Sequence, residues 1–308
     1  MRYALSALLA LFVASPVSAQ DSTAVAPTAH DSLTVAAAIA QFETTLHYQT
    51  GDVQLPNGIA TIHVPEGFRY LDKKNAQHLL TDGWENPKEA SEDVIGMLVP
   101  PVGALGNDGW GIIITMDESG YVDDKDAAKL DYSKILEQMR KGAEEANKER
   151  KKHGFPPATL VGWAEPPHYD AANHKLYWAK ELAFGDEEWH TVNYCIRVLG
   201  RRGVLELNAV APMDLLDEIH ASTPAVLSAI EFNQGHRYAD FIKGKDQVAK
   251  LGLAGLIVGV AAKAGFFKAL LVAIVALKKV IIVGVVALIA WLKRVFGKKK
   301  MPTTFPEK

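Results

Sequence analysis

The chain has 308 residues, 48% of them hydrophobic, and a single cysteine, so an intramolecular disulfide is excluded and the length allows one domain with a terminal segment. The net charge of −3 hides an asymmetry, since 20 of the 33 basic residues and 34 of the 36 acidic residues precede Lys243. Residues 1–242 therefore carry a charge near −14 and residues 243–308 one near +11, and the acidic body argues against nucleic acid as a partner because phosphate binding needs a basic face.

The N-terminus has the pattern of a secretory signal peptide. A positively charged start precedes an apolar run over residues 4–13, and residues 17–19 (Val-Ser-Ala) match the small-x-small pattern that precedes a cleavage site. About ten apolar residues form only about 15 Å of helix, half of a bilayer core, which disfavours an uncleaved anchor. We predict a signal peptide over residues 1–19 and a polar linker over residues 20–38.

Residues 39–242 are predicted to form an exported domain that opens with a helical pattern and a β-hairpin. In the hairpin, Asn57-Gly58 is flanked by β-forming residues between positions 51 and 64. This dipeptide tolerates the positive φ angles of a tight turn. Asp72 is then placed to cap a short helix that runs to Leu80.

Three acidic residues, Asp123, Asp124 and Asp126, are predicted to open the longest helix of the domain, because negative charge is favourable at a helix N-terminus. Apolar side chains then recur every three or four residues up to Ala146, which gives this helix one apolar face. Gly154 follows a basic last turn and is the predicted C-cap.

The second half of the domain has the pattern of an antiparallel meander. Including two strands that precede the long helix, the predicted strands cover residues 94–99, 110–116, 158–163, 175–184, 189–199 and 204–210. Turns are expected at Pro166-Pro167 and at residues 200–203, and two short helices at 213–219 and 224–230. This order of elements predicts an α+β fold, with helices packed on a largely antiparallel sheet.

Several separated motifs occur in one order along the domain. They are Gly120-Tyr-Val-Asp-Asp124, Ala146-Asn147 with Arg150, Gly162-Trp163 with Pro166-Pro167-His168-Tyr169-Asp170, Leu176-Tyr-Trp178-Ala179, Val192-Asn193-Tyr194, Leu199-Gly-Arg201-Arg-Gly203-Val-Leu205, and Tyr238-Ala-Asp240-Phe241 with Asp246. Together they resemble the bacterial family catalogued as domain of unknown function 2167, which is described as predicted membrane-anchored proteins. The resemblance implies a bacterial envelope protein with a C-terminal anchor, and it carries no activity, cofactor or catalytic residue. The order of elements is also similar to that of PsbP-like and DcrB-like exported domains.

Candidate catalytic groups are few. His168 and Asp170, beside Trp-rich strands, could form the site of an envelope hydrolase or ligand-binding enzyme, and Cys195 could be a nucleophile. Against this, Cys195 lies in a predicted apolar strand, where a buried thiol is common, and the His/Asp spacing matches no zinc site. We therefore favour a non-enzymatic interaction or stress-related module without cofactor or metal. Arg201-Arg202 is expected either as a solvated turn or as a contact for a partner or a lipid headgroup.

The C-terminal part is predicted to be a junction over 243–250, a membrane-associated helical segment over 251–297 and a basic tail over 298–308. Each apolar block of the segment is too short for the ~30 Å core, so a crossing helix must include lysines, which partly reach the headgroups. In one continuous helix, its five lysines would share an arc of about 160°. The residues expected to contact lipid are Lys263, Lys268, Lys278, Lys279, Lys293, Arg294, Lys298, Lys299 and Lys300.

Small residues and terminal charges complete this prediction. Gly252, Gly255 and Gly259 would give the first apolar block a close-packing face for another helix. Arg294 and residues 298–300 indicate a cytoplasmic C-terminus by the positive-inside rule. We therefore predict a bacterial inner-membrane protein whose main domain faces the periplasm and whose partner is a bilayer with anionic headgroups. An envelope protein or a second copy of the chain is the further partner that the tail could contact.

Overall fold

A computed structural model describes residues 29–86, 88–106, 108–152, 156–185 and 189–259. Its helices are α1 (Ala29–Glu43), α2 (Lys73–His78), α3 (Lys88–Ser91), α4 (Tyr132–Lys152), α5 (Leu216–Ala229) and α6 (Leu253–Val258). Its strands are β1 (Tyr48–Gln49), β2 (Asp52–Gln54), β3 (Ala60–His63), β4 (Arg69–Asp72), β5 (Val94–Val99), β6 (Ile112–Asp117), β7 (Ala158–Asp170), β8 (Lys175–Phe184), β9 (His190–Leu199), β10 (Val204–Pro212) and β11 (Ile230–Phe232). All their pairings are antiparallel, which confirms the predicted α+β fold.

The strands form two sheets. The large sheet has eight strands in the order β1-β4-β5-β6-β10-β9-β8-β7, and the small sheet has three in the order β11-β3-β2. The predicted meander is therefore confirmed as β7 to β10, each strand pairing with the next. Gly200 N donates a hydrogen bond to Gly203 O at 2.8 Å, which confirms the turn predicted at residues 200–203 between β9 and β10.

Two local signals of the first half fold as predicted. Between β2 and β3, Asn57 and Gly58 have φ angles of 61° and 62°, the left-handed conformation that this dipeptide favours. At the start of α2, Asp72 Oδ1 accepts a hydrogen bond from Asn75 N at 2.9 Å and so caps the helix.

The start of α4 differs from the prediction. The helix begins at Tyr132, and Asp131 is the acidic residue that caps it, because its Oδ1 accepts from the backbone N–H groups of Ser133 and Lys134 at 3.1 Å each. The prediction that the acidic residues at 123–126 open the helix is therefore wrong. They lie in the loop before it, where Asp124 bonds to side chains distant in sequence.

Two predictions based on proline are also wrong. Pro166-Pro167 lies inside β7 rather than at a turn. This is tolerated because β7 is at the edge of the sheet and pairs only with β8, through a register that shifts on both sides of Glu165. Pro224 lies inside α5, so a single helix replaces the two short ones that were predicted.

Different secondary-structure elements pack on the two faces of the large sheet. On one face, α5 and the small sheet pack on residues such as Ile196 and Leu207 in one hydrophobic cluster. On the other face, one cluster gathers residues of α4 and α6, among them Ile135, and a second includes Ala76 of α2. The candidate sites described below lie on or beside this second face.

The C-terminal end of the described chain is part of the domain. Leu253, Leu256 and Ile257 of α6 are buried in the same cluster as Ile135 of α4 and Trp178 of β8. The first described residues of the predicted membrane-associated segment over 251–297 therefore pack against the domain. Among the residues that the structure describes, no helix has the length and apolarity to cross a bilayer.

At the N-terminal end, α1 begins at Ala29 and so extends into the predicted linker over residues 20–38. The predicted signal peptide over residues 1–19 and the predicted C-cap Gly154 lie outside the described residues. The part of the predicted membrane-associated segment beyond residue 259 and the basic tail over 298–308 also lie outside them.

Candidate functional site

A buried ion pair holds the chain in place before α6. Asp246 accepts from Arg201 Nε at 2.7 Å and from Arg201 Nη2 at 3.0 Å, and its side chain is only 3% exposed. The backbone N–H of Ile242 also donates to Asp246, at 2.7 Å. Hydrogen bonds from Arg201 lower the pKa of Asp246 to about 2. The Arg201 side chain, 11% exposed, is therefore held in this ion pair, whereas the side chain of Arg202 in the same turn is 59% exposed.

Backbone pairing fixes the same segment to the loop after β6. Tyr121 N donates to Gln247 O at 2.9 Å, and Ala249 N donates to Tyr121 O at 2.8 Å, which forms a parallel bridge between Tyr121 and Val248. The Tyr121 ring also stacks on Phe241 with a centroid distance of 4.0 Å. We call residues 242–251, which these contacts hold in place, the pre-α6 segment.

An aromatic–acid cluster lies beside this segment and consists of Tyr121, Asp124, Tyr169, His174 and Tyr238. Asp124 Oδ2 accepts from the Tyr169 hydroxyl at 2.5 Å and lies 3.1 Å from His174 Nδ1. The ring of His174 stacks on Tyr238 at 4.0 Å, and Tyr238 in turn stacks on Tyr121 at 4.4 Å. The cluster therefore joins the loop after β6, the β7–β8 turn and the chain that leads to α6.

Hydrogen bonding favours the charged form of the acid in this cluster. Burial acts to raise the pKa of Asp124, but hydrogen bonds from Tyr169 and His174 outweigh it and hold the pKa below its ordinary value. Burial, together with the bond to Asp124, raises the pKa of Tyr169. The phenol thus remains a neutral donor to a carboxylate, which suits a structural contact between segments more than proton transfer.

A buried polar strip crosses the middle of the sheet face that carries α4 and α6. The register places Arg197, Glu206 and Thr115 opposite one another on β9, β10 and β6. Arg197 Nε lies 3.3 Å from Glu206 Oε1, and both Arg197 Nη atoms donate to Asn208 Oδ1 at 3.1 Å. These side chains are all buried, and Asn208 is paired with Ile113 of one hydrophobic cluster on β6 and with Cys195 of the other on β9, so the strip lies between the two clusters of this face.

The residues proposed for an enzyme site have separate local contacts. Asp170 accepts hydrogen bonds from Asn173 in the β7–β8 turn, and His168 packs on Tyr177 with a centroid distance of 5.0 Å. Cys195 is buried, with its Sγ 3.3 Å from Asn193 Oδ1. Within the described ranges, no three His, Cys, Asp or Glu side chains lie close enough to hold a metal ion.

The tryptophans mostly pack in the core. Trp110 and Trp178 are fully buried, and Trp110 Nε1 donates to Glu218 Oε1 at 2.9 Å. Trp163 Nε1 donates to a backbone oxygen of α4, and among the tryptophans that the structure describes Trp189 is the exposed one, at 41%. A cavity of about 10 Å³ between α5 and the sheet has room for about one water molecule, so it is too small for a substrate.

The predicted helix-packing glycines lie around α6. Gly252 precedes the helix, where an added Cβ would come within 3.0 Å of Asp126 Oδ2, and Gly255 faces the side chain of Leu251. Gly259 ends the helix with a φ of 71°. The lysines and arginine predicted to contact lipid, from Lys263 onward, lie outside the described residues.

Sequence reasoning missed the ion pair between Arg201 and Asp246, the aromatic–acid cluster and the polar strip. The first two were visible as motif residues, since Arg201, Asp246 and Asp124 all belong to the motifs that carry the family resemblance. No sequence signal pointed to the strip, because Arg197 and Glu206 pair only through the register of two strands.

Comparison with known proteins identifies a family. A model described as "Protein of unknown function (DUF2167)" matches residues 47–289, and no curated protein matches the chain. Among solved structures, cyanobacterial PsbP from Synechocystis sp. PCC 6803 matches with 13% identity over 61% of this chain and 92% of its own, with a TM-score of 0.35.

Two further structures match at similar levels. LpqN, involved in cell envelope biogenesis of Mycobacterium tuberculosis, has 15% identity, covers 63% of this chain and 96% of its own, and has a TM-score of 0.31. The Ran-binding protein Mog1p of Saccharomyces cerevisiae has 12% identity, covers 64% of this chain and 100% of its own, and also has a TM-score of 0.31. At these TM-scores the likeness supports no statement about activity or partners.

Proposed function

The chain belongs to the family described as protein of unknown function (DUF2167), and from that premise we propose that it is a membrane-anchored bacterial envelope protein. Its domain is a non-enzymatic interaction or stress-related module that faces the periplasm. Residues beyond Gly259 hold it at the inner membrane and contact anionic headgroups through Lys263, Lys268, Lys278, Lys279, Lys293, Arg294, Lys298, Lys299 and Lys300.

One observation carries this proposal. Helix α6 is buried in the domain core, and the chain continues from it directly into apolar blocks whose lysines would share one face of a continuous helix. An anchor that follows directly on a core helix restricts the orientation of the domain relative to the membrane, whereas a flexible linker would leave the domain free to rotate. This arrangement suits a module that meets a partner at a fixed height above a membrane.

The enzyme alternative receives less support. His168, Asp170 and Cys195 each have their own local partners in the described structure, and Cys195 is buried. A hydrolase needs a nucleophile, a base and an oxyanion donor within reach of the same atom.

Membrane fractionation and topology reporters test the proposal. The full-length chain should stay in the membrane pellet after alkaline carbonate extraction, and a variant truncated after Gly259 should be released. A periplasm-active reporter fused after Gly259 should be active and the same reporter fused after Lys308 inactive. Release of the full-length chain by carbonate would refute the anchor, and activity of both reporters would refute the cytoplasmic C-terminus.

A further inference from the structure

The pre-α6 segment carries an unusual share of exposed apolar surface. Among the described residues, five large hydrophobic side chains are exposed, and three of them, Ile242 (43%), Val248 (52%) and Leu251 (45%), lie within these ten residues. Apolar side chains that cluster on a surface next to charged ones are typical of an interaction site.

The charge that the segment exposes is positive. Lys243, Lys245 and Lys250 are exposed, and the one acidic residue of the segment, Asp246, is buried against Arg201. The surface therefore combines three apolar side chains with three lysines in a domain whose sequence up to residue 242 is strongly acidic. Such a combination matches the boundary between anionic headgroups and acyl chains.

The segment is held rigidly in this exposed position. Its first five residues form a turn in which Asp246 N donates to Ile242 O at 3.0 Å, and the following residues pair with Tyr121. Ala249 packs inward against the α4–α6 cluster. Since successive side chains of an extended chain alternate, Val248 points outward.

The position of the segment in the chain brings it close to the proposed anchor. Only α6 separates it from residue 260, and a six-residue helix is about 9 Å long. A chain that enters a membrane just beyond α6 therefore brings the segment to the headgroup region.

We propose that residues 242–251 are a membrane-contact surface of the folded domain, specific for a bilayer with anionic headgroups. Ile242, Val248 and Leu251 enter the headgroup–acyl boundary, while the three lysines bind lipid phosphates. The inference rests on the proposed anchoring and adds an orientation: the α6 end of the domain, rather than the turn between β5 and β6, faces the lipid.

Site-specific fluorescence in vesicles tests this orientation. Full-length Val248→Cys protein is labelled with an environment-sensitive dye and reconstituted in vesicles of phosphatidylcholine and phosphatidylglycerol. Val102→Cys is the matched control, because Val102 is also exposed, at 46%, but lies at the opposite end of β6 from Tyr121. The chain without added cysteine controls for labelling, since Cys195 is buried and should not react.

We expect a blue-shifted emission and quenching by nitroxide-labelled lipid at position 248 and neither effect at position 102. Replacing the three lysines with glutamine should weaken the quenching, because each lysine contributes a factor of about five to the affinity for an anionic surface. Labelled Leu251→Cys should behave like Val248→Cys and serves if the latter variant does not fold.

Three outcomes would overturn the proposal. Equal quenching at positions 248 and 102, with the protein still floating with the vesicles, would refute the surface and leave the anchor intact. A blue shift at 248 without lipid quenching would mean that another protein molecule covers the segment. Protein that does not float with the vesicles would refute the anchor and the surface together.

Discussion

The assignment of α6 to the domain core makes a direct prediction for two neighbouring leucines. Leu253 is fully buried in the cluster with α4, whereas Leu251, two residues earlier, is 45% exposed. If residues 251–258 belong to the domain, Leu253→Ala should remove the contacts of a buried side chain and leave a cavity, at a cost of about 3 kcal/mol in free energy of unfolding. Leu251→Ala, the same chemical change at an exposed position, should alter it by no more than about 0.5 kcal/mol.

Urea unfolding of the full-length chain in mild detergent, followed by tryptophan fluorescence, measures this difference. With a slope of about 2–3 kcal/mol per molar urea, the midpoint of Leu253→Ala should fall by about 1–1.5 M, and that of Leu251→Ala by about 0.2 M or less. Equal midpoints for the two variants, or a lower midpoint for Leu251→Ala, would contradict the burial of α6 in the domain.

Three further predictions follow from single contacts. Because hydrogen bonds from Arg201 lower the pKa of Asp246 from 3.8 to about 2, its charged form stabilises the fold above about pH 4 and this stability is lost as the pH falls through about 2. The urea midpoint of Asp246→Asn should therefore fall less between about pH 5 and pH 2 than that of the unaltered chain, and an identical fall would contradict the pairing. Gly203→Ala should lower the free energy of unfolding by about 1–3 kcal/mol, because the added Cβ would lie 2.0 Å from Asp117 O. At Gly162 the nearest atom to an added Cβ is 3.8 Å away, so Gly162→Ala should have a higher melting temperature than Gly203→Ala, and equal melting temperatures would contradict the close contact at Gly203. Tyr169→Phe should raise the pKa of Asp124 in an NMR titration, because it removes a hydrogen bond to the carboxylate, and an unchanged pKa would show that this bond does not form.

The features predicted correctly are those that neighbouring residues specify together. Asn57-Gly58 needs only its own backbone preference to form a turn, and Asp72 needs only the N–H groups one turn ahead to cap a helix. The strands of the meander were recognisable from β-forming runs separated by turns, and their antiparallel pairing follows because the connections are short.

The errors arise where a local signal has two structural solutions. Asp123, Asp124 and Asp126 suit a helix N-terminus, but Asp124 instead bonds Tyr169, 45 residues away. Pro166-Pro167 suits a turn, but an edge strand also tolerates proline, because no neighbouring strand pairs with the backbone groups on its outer side.

The apolar residues of α6 show most clearly the difference between what local sequence specifies and what tertiary contacts decide. The sequence by itself determined that residues 252–258 favour a water-free environment, because this run has no polar side chain. Only the tertiary structure decided that α4 and the sheet, rather than lipid, bury Leu253 and Ile257. The physical reason is that the hydrophobic effect depends on the area removed from water and not on which apolar surface covers it. The pairing of Arg201 with Asp246, 45 residues apart, was likewise fixed by the fold and not by any local pattern.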